Sequence, residues 1–407
     1  MLTGLSPADH GIVANGFYDR ELAEILFWKQ SNKLVQGEKV WETARKKDLS
    51  VTTLNMFWWF NMVTTADYSV TPRPIYKADG RKIPDCYTNP PHLRDMLQDE
   101  LGRFPLFSFW GPAASIESTR WITSATLLAH EKFDPTLTLV YLPHLDYPLQ
   151  RLGPDHADIP EHLALVDAEV ARLLDYFHDR NVRTIILSEY GIEPVENAIH
   201  INRHLRQHNC LSVREEQGGE ILDTAASDAF AVADHQIAHL YMKDPAQTER
   251  IADLCRQLPG VEHIYGKEQM KKLNILHPRS GDLLLVADRK HWFSYYYWLD
   301  DRCAPDFART VDIHRKPGYD PCELIIDPKR CCPKLQIAWK LLKSKLRLRT
   351  LFDLIPLDAS LVGGSHGRCD QPESYRPVII TQNDYRRQPD QIPPHGVKDI
   401  ILDHLFT

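Results

Sequence analysis

Residues 136–187 constrain the fold more than any other stretch of the chain. Thr136 to Tyr141 (TLTLVY) is β-branched and apolar, the pattern of a buried strand. A polar, proline-bearing loop is expected from Pro143 to Pro160. Leu163, Val166, Val170, Leu173 and Phe177 then recur at helical spacing, which predicts a long amphipathic helix with one buried face. After Asp179-Arg180-Asn181, a second apolar run from Val182 to Leu187 (VRTIIL) ends at Ser188. Strand, helix and strand in this order predict a β-α-β unit with parallel strands. Ligands of such sheets bind beyond the carboxyl ends of the strands, so chemistry is expected at 143–154 and 188–194.

The bulk properties narrow the function. A chain of 407 residues, 43% hydrophobic and 25% charged, suits one large α/β domain with an insertion, or two domains. A net charge of −7 offers no basic footprint for a nucleic acid polymer. No apolar run reaches the roughly 18 residues that a membrane span needs, and Met1 to His10 lack the features of a signal peptide. The expectation is a cytoplasmic protein with no membrane partner. The cysteines at 86, 210, 255, 303, 322, 331, 332 and 369 form no C-x-x-C pair and read as reduced structural thiols. Asp282 to Asp288 reads as a further strand, and His291 to Leu299 as an aromatic strand or pocket wall. Lys334 to Leu346 reads as an amphipathic helix with Leu335, Trp339, Leu342 and Leu346 on one stripe. Its Lys340, Lys343, Lys345 and Arg347 are taken as a solvated face rather than a surface for an acidic partner or a membrane.

Four short motifs carry a resemblance. The chain opens Leu2-Thr3-Gly4-Leu5-Ser6-Pro7-Ala8-Asp9-His10-Gly11-Ile12-Val13-Ala14-Asn15, with Tyr18-Asp19 shortly after. Asp146-Tyr147-Pro148-Leu149-Gln150-Arg151-Leu152-Gly153-Pro154 lies in the first loop of interest, and Ser188-Glu189-Tyr190-Gly191 follows the second strand. Gly363-Gly364-Ser365-His366-Gly367 comes late. Taken in this order the motifs resemble those of the nucleotide pyrophosphatase/phosphodiesterase family of the alkaline phosphatase superfamily. The resemblance implies an α/β, alkaline phosphatase-like fold over 1–407, a mainly parallel central sheet flanked by helices, with inserted cap segments at about 55–115 and 240–280. It implies metal-dependent hydrolysis of phosphodiester or nucleotide pyrophosphate bonds in a small phosphorylated substrate. Two metal ions, usually Zn²⁺, would offset charge gathering on the transferring phosphoryl group.

Carried over position by position, the resemblance makes Asn15 the phosphoryl-binding residue and Asp146, Glu189 and His366 metal ligands. Two positions depart from the pattern: Gln150 and Tyr190 stand where the family has ligating histidines. An amide and a protonated phenol are poor partners for zinc, so the oxygen-rich set that is left suits Mn²⁺ or Mg²⁺ better. Gln150 and Tyr190 are therefore expected as hydrogen-bonding pocket residues. The family's nucleophile and first strand would fall upstream of Met1, so the chain is expected to lack both. A pseudoenzyme that binds a phosphorylated ligand is the alternative function.

Further candidates are weaker. His235 and His239, in Asp234-His235-Gln236-Ile237-Ala238-His239, have the spacing of a ligand pair without the glutamate of a zincin, and His235 could stand in for a missing imidazole. His144 lies two residues before Asp146. Arg315 or Lys316 could meet a phosphate. The aromatic runs 57–60 and 295–298 read first as core and second as stacking surfaces.

Overall fold

The computed structural model describes residues 1–79, 81–346, 348, 350–382 and 391–407. Its first sheet is built from β1 (Thr53–Met56), β2 (Tyr68–Pro72), β3 (Cys86–Asn89) and β4 (Leu137–Val140), in the order β3-β2-β1-β4. β1 is parallel to both neighbours, β2 and β4, and all four of its residues are buried; only β3 runs antiparallel. Burial on both faces is the usual setting of parallel strands. Helix α1 (Ile116–Phe133) covers this sheet, with Trp121, Ile122, Ala125 and Ala129 packed in one cluster with Leu54, Met56 and Val70. These helix positions recur at the spacing that keeps one face on a core.

The predicted long helix is present as α3 (Ile159–His178), and Phe177 packs edge-on against His130 of α1. Between β4 and α3 lies a correction. Residues expected as loop from 143 to 160 contain a helix, α2 (Asp146–Leu152), which is closed by Gly153. A proline inside the segment argued for loop, but Pro148 sits within the first turn, where its missing N–H costs nothing.

A second correction concerns strand pairing. β5 (Ile185–Leu187) is not hydrogen-bonded to β4; it pairs antiparallel with a later strand at Ile379–Thr381. Leu137 and Leu139 of β4 and Ile185 and Leu187 of β5 nonetheless belong to one apolar cluster with Val40, Trp41 and Ile401. The two strands share that cluster while leaving the edges not taken by β1 and by 379–381 without strand partners among the described residues.

The second sheet comprises β6 (Ala229–Asp234), β7 (Ile237–Met242), β8 (Val261–Tyr265) and β9 (Leu283–Ala287), ordered β6-β7-β9-β8 and wholly antiparallel. β9 is the strand expected at 282–288. Of the aromatic run, only His291–Phe293 is strand; Tyr295 to Trp298 are irregular and completely buried, so they are core and not a stacking surface. Part of the segment expected as a cap, 55–115, is framework instead: β2 and β3 lie in the same sheet as β4, because Ser69, Val70 and Thr71 are buried in it. Helix α4 (Pro333–Lys345) matches the amphipathic reading in extent, while Arg347 lies outside the described residues. No helix among the described residues is long and apolar enough to cross a membrane.

Candidate functional site

The site is assembled by a helix start, a strand end and a hairpin turn. Asp146 is the first residue of α2, and Gln150 stands one turn further on, so Gln150 Nε2 donates to both carboxylate oxygens at 2.9 Å. Tyr190 follows the end of β5 and donates its hydroxyl to Asp146 Oδ1 at 3.0 Å. The ring of Tyr190 stacks on His366, with centroids 3.6 Å apart and planes 8° from parallel. On its other side His366 meets His235 at 3.7 Å, and His235 stacks on Tyr319 at 3.7 Å. Tyr319 donates its hydroxyl to Gln150 Oε1, which closes a ring of six side chains.

Local backbone chemistry explains why these residues meet. His235 opens the two-residue loop between β6 and β7, since Asp234 pairs with Ile237, and it adopts φ +59°. Glycine is the usual choice at such a position, so a histidine here stores roughly 1–3 kcal/mol of strain. The next amide, Gln236 N–H, donates to the carbonyl of His366 at 2.8 Å and fixes the two histidines together. Gly364 lets the chain before His366 lie on α2: a Cβ there would stand 2.2 Å from the carbonyl oxygen of Leu149. Gly191 is equally constrained, with the carbonyl of Tyr375 at 1.4 Å from any Cβ.

Asp234 links this ring to the start of the chain. Its Oδ2 accepts the backbone N–H of Asn15 at 2.7 Å and its Oδ1 accepts Asn15 Nδ2 at 3.1 Å. The same Oδ1 lies 2.7 Å from His235 Nδ1. The carboxylate thus accepts a hydrogen bond from Nδ1–H, which leaves Nε2 to hold either a proton or a cation. The Nε2 atoms of both His235 and His366 are buried without a hydrogen-bond partner among the described residues.

The electrostatics follow from burial. Burial raises the Asp146 carboxyl above the usual carboxylate range, against the opposing effects of Gln150, His235 and Tyr190. Burial would raise Asp234 as well, but the adjoining His235 imidazole and the Asn15 donors outweigh it and hold the group low. His366 is pushed well below the ordinary histidine value by burial and then by His235, so it is a neutral imidazole. Burial keeps the phenols of Tyr190 and Tyr319 far above their usual pKa, so both are donors. Glu189 is exposed, and the surrounding protein raises its carboxyl, opposed by the Met1 amino group and reinforced by Asp146.

The structure brings together Asn15, Asp146, Gln150, Tyr190, His235 and His366. It does not bring in His144, whose Nε2 is 3.1 Å from His162 Nδ1, nor His239, held by the Val13 carbonyl and the Gly281 N–H on β7. Lys316 is no phosphate contact; it is buried in ion pairs with Asp320 and Glu323, both at 2.7 Å. Arg315 pairs with Asp306. Asp234 and Tyr319 are the site residues that motif matching passes over. Asp234 was visible as an acid beside a candidate histidine, whereas nothing in the sequence marked Tyr319.

The donors suit a divalent cation in kind: two imidazole nitrogens without partners among the described residues, in one pocket with the half-buried Asp146 carboxylate. They are not converged as they stand, for among the described residues no three His, Cys, Asp or Glu side chains form a metal-holding group. A cation at this point competes with Gln150 and Tyr190 for Asp146.

The comparisons agree with the motifs. A family model described as type I phosphodiesterase/nucleotide pyrophosphatase matches residues 1–320. An uncharacterized pyrophosphatase/phosphodiesterase of Schizosaccharomyces pombe is 25% identical over 207 residues, which is 48% of this chain and 35% of that protein. The match therefore spans about a third of that curated relative. Phosphonoacetate hydrolase from Sinorhizobium meliloti, solved with phosphonoformate, is similar in structure at TM-score 0.58 and 14% identity, over 99% of this chain and 82% of that one. Murine ectonucleotide pyrophosphatase/phosphodiesterase 5 is similar at TM-score 0.47 and 15% identity, over 89% and 86%. The fold is thus α/β and alkaline phosphatase-like. With the model matched from Met1 across Asn15, Asp146 and Glu189 to the end of the Tyr319 turn, the chain belongs to the type I phosphodiesterase/nucleotide pyrophosphatase family.

Proposed function

We propose that this site hydrolyses phosphodiester or nucleotide pyrophosphate bonds with a divalent cation held by Asp146, His235 and His366, and with Glu189 beside it. One observation carries the reading: the buried Nε2 atoms of His235 and His366 have no partner among the described residues, and Tyr190, stacked on His366, joins them to the half-buried Asp146 carboxylate. Each such atom costs about 1–3 kcal/mol unless something fills the place. His235 restores the imidazole missing at position 150, and two nitrogens with carboxylate oxygen suit Zn²⁺ better than Mg²⁺. When bound, the cation would draw charge from the transferring phosphoryl group.

The chain's own residues supply the rest. Asn15 is fixed by Asp234 through its backbone N–H and one amide hydrogen, which leaves the second amide hydrogen for a phosphoryl oxygen. Glu189, open to solvent and with a raised carboxyl, is suited to exchange a proton with a leaving oxygen. The edges of β4 and β5 that lack strand partners among the described residues support the reading that a further strand, carrying the nucleophile, comes from sequence outside residues 1–407. The family and the phosphonate-binding neighbour support a small phosphorylated substrate.

Binding of a phosphorylated ligand without hydrolysis is the second reading. It is favoured by the engagement of both Asp146 oxygens with Gln150 and Tyr190. Metal analysis of the full-length protein that includes the proposed further strand, with hydrolysis of bis(p-nitrophenyl) phosphate before and after chelation, separates the two. About one equivalent of zinc or manganese and chelator-sensitive turnover are expected, both lost in His366→Ala. Turnover that survives His366→Ala would refute the metal site, and ligand binding without turnover would establish the second reading.

A further inference from the structure

Helix α4 exposes the face that an amphipathic helix normally buries. Leu335, Trp339, Leu342 and Leu346 are 71%, 57%, 47% and 64% exposed. At 3.6 residues per turn they fall within an arc of about 60°. Leu341, Leu348 and Leu351 add further exposed apolar surface around it. The opposite side holds the helix to the protein: Ile337 is half-buried, and Lys340 Nζ reaches Asp353 and the Leu351 carbonyl.

Charge distinguishes this face from an ordinary apolar patch. Between Asp327 and Asp353 the sequence carries eight basic residues (Lys329, Arg330, Lys334, Lys340, Lys343, Lys345, Arg347 and Arg349) and no acidic one, in a chain of net charge −7. Lys334, Lys343 and Lys345 make no ion pair among the described residues, and Lys343 lies over the Trp339 ring at 5.3 Å. By the same helical geometry, Lys343 and Lys345 fall on opposite flanks of the apolar stripe. Their stems can run along it while the ammonium groups rise to either side.

We infer that α4 is a docking surface for an anionic lipid bilayer, with the leucine and tryptophan stripe inserted among the acyl chains and the lysines on the headgroups. A leucine- and tryptophan-bearing face flanked by lysines is the pattern of a helix lying in the interface plane. The same face of a second copy is a poor occupant, because it would bring the same unbalanced positive charge against this one. This replaces the expectation that the basic side is merely solvated and that no membrane is involved.

The test is co-sedimentation of the full chain with vesicles of phosphatidylcholine alone, or with about 30% phosphatidylglycerol, since each lysine near an anionic surface adds about fivefold to partitioning. Binding is expected only to the anionic vesicles, and it should fall when salt is raised from about 0.1 M to 1 M. Lys343→Glu with Lys345→Glu should weaken partitioning by on the order of 30-fold or more. Leu335→Ser with Leu342→Ser should abolish it, and the exposed positions should leave circular dichroism and thermal midpoint unchanged. Independently, bromine-labelled acyl chains should quench the wild-type fluorescence by more than that of Trp339→Phe. Equal binding to neutral vesicles, no binding to either kind, or binding untouched by both double variants overturns the inference. A lipid-free dimer dispersed by the serine variants, or an acidic protein captured in place of vesicles, overturns it in favour of that occupant.

Discussion

Asp234→Asn is the change that interrogates the site most directly, because one buried carboxylate holds both Asn15 and His235. Three donors converge on its two oxygens: Asn15 N–H on Oδ2, and Asn15 Nδ2 and His235 Nδ1 on Oδ1. The amide of the variant has one acceptor and one donor, so it cannot serve all three. Turned to keep Oδ1, it sets its NH₂ against the Asn15 N–H and leaves one buried donor orphaned; turned the other way, it leaves two. The better orientation costs about 1–3 kcal/mol for the orphaned donor, and replacing the carboxylate acceptors of the remaining hydrogen bonds by a neutral amide brings the total to roughly 2–4 kcal/mol. Against a folding stability of about 5–15 kcal/mol, that shift is plain in a urea titration.

The sign with pH is fixed by the carboxyl's depressed pKa. A group held below its unfolded value stabilises the fold fully above that value, about 3.9, and loses its contribution as pH falls through the folded one. The gap between wild type and variant should therefore be the same at pH 7.5 and at pH 6. Cation affinity, followed by competition with a chelating dye, should fall about 10- to 100-fold, as it does when the partner of a ligating histidine is removed. An unchanged urea midpoint would show that Asp234 is not the anchor described here. A weakened fold with unchanged cation affinity would instead separate the anchor from the metal reading.

Two further outcomes follow from the packing. Gly364→Ala puts a Cβ 2.2 Å from the Leu149 carbonyl oxygen, so the chain before His366 must lift from α2; a loss of roughly 1–3 kcal/mol is expected, and an unchanged thermal midpoint would contradict it. His144 and His239 are buried with pKa values lowered to about 4, by burial first. Each stays neutral in the fold but takes a proton in the unfolded chain near pH 6.5, so stability should be complete above that pH and drain away toward pH 4. The limiting slope is about 1.4 kcal/mol per pH unit for each group. His239→Gln should flatten the profile by one such share, and a wild-type profile level from pH 7 to 4.5 would exclude this origin.

The parts of this molecule legible in the sequence are those that local pattern controls. The apolar run at 136–141 and the helical spacing from 163 to 177 each report on burial of their own residues, and both elements are where that spacing puts them. Pairing is a different matter: which strand lies beside β4 depends on residues far away, and β5 turns to 379–381 instead. The ring around Asp146 divides along the same line. Asp146 and Gln150 are one helical turn apart, so their meeting is written locally once α2 is known. Tyr319 lies 169 residues from Gln150, and it is held at the site by distant parts of the chain: its N–H donates to the Ala233 carbonyl, and its ring stacks on His235, which sits in a left-handed turn.

That division changes what the two departures at 150 and 190 mean. Judged singly, Gln150 and Tyr190 are ligands lost from a metal site. Together they are two neutral donors aimed at the same carboxylate, with the Tyr190 ring flat against His366 and Gln150 braced by Tyr319. Loss of two imidazoles alone would leave the half-buried Asp146 carboxylate without these partners, at a cost in stability. The carboxylate is instead satisfied by donors that hold no charge. Asp234 and His235 then set a second imidazole beside His366 from a different strand pair. Of the two imidazoles that the resemblance implies at 150 and 190, the pocket thereby regains one, from a hairpin turn.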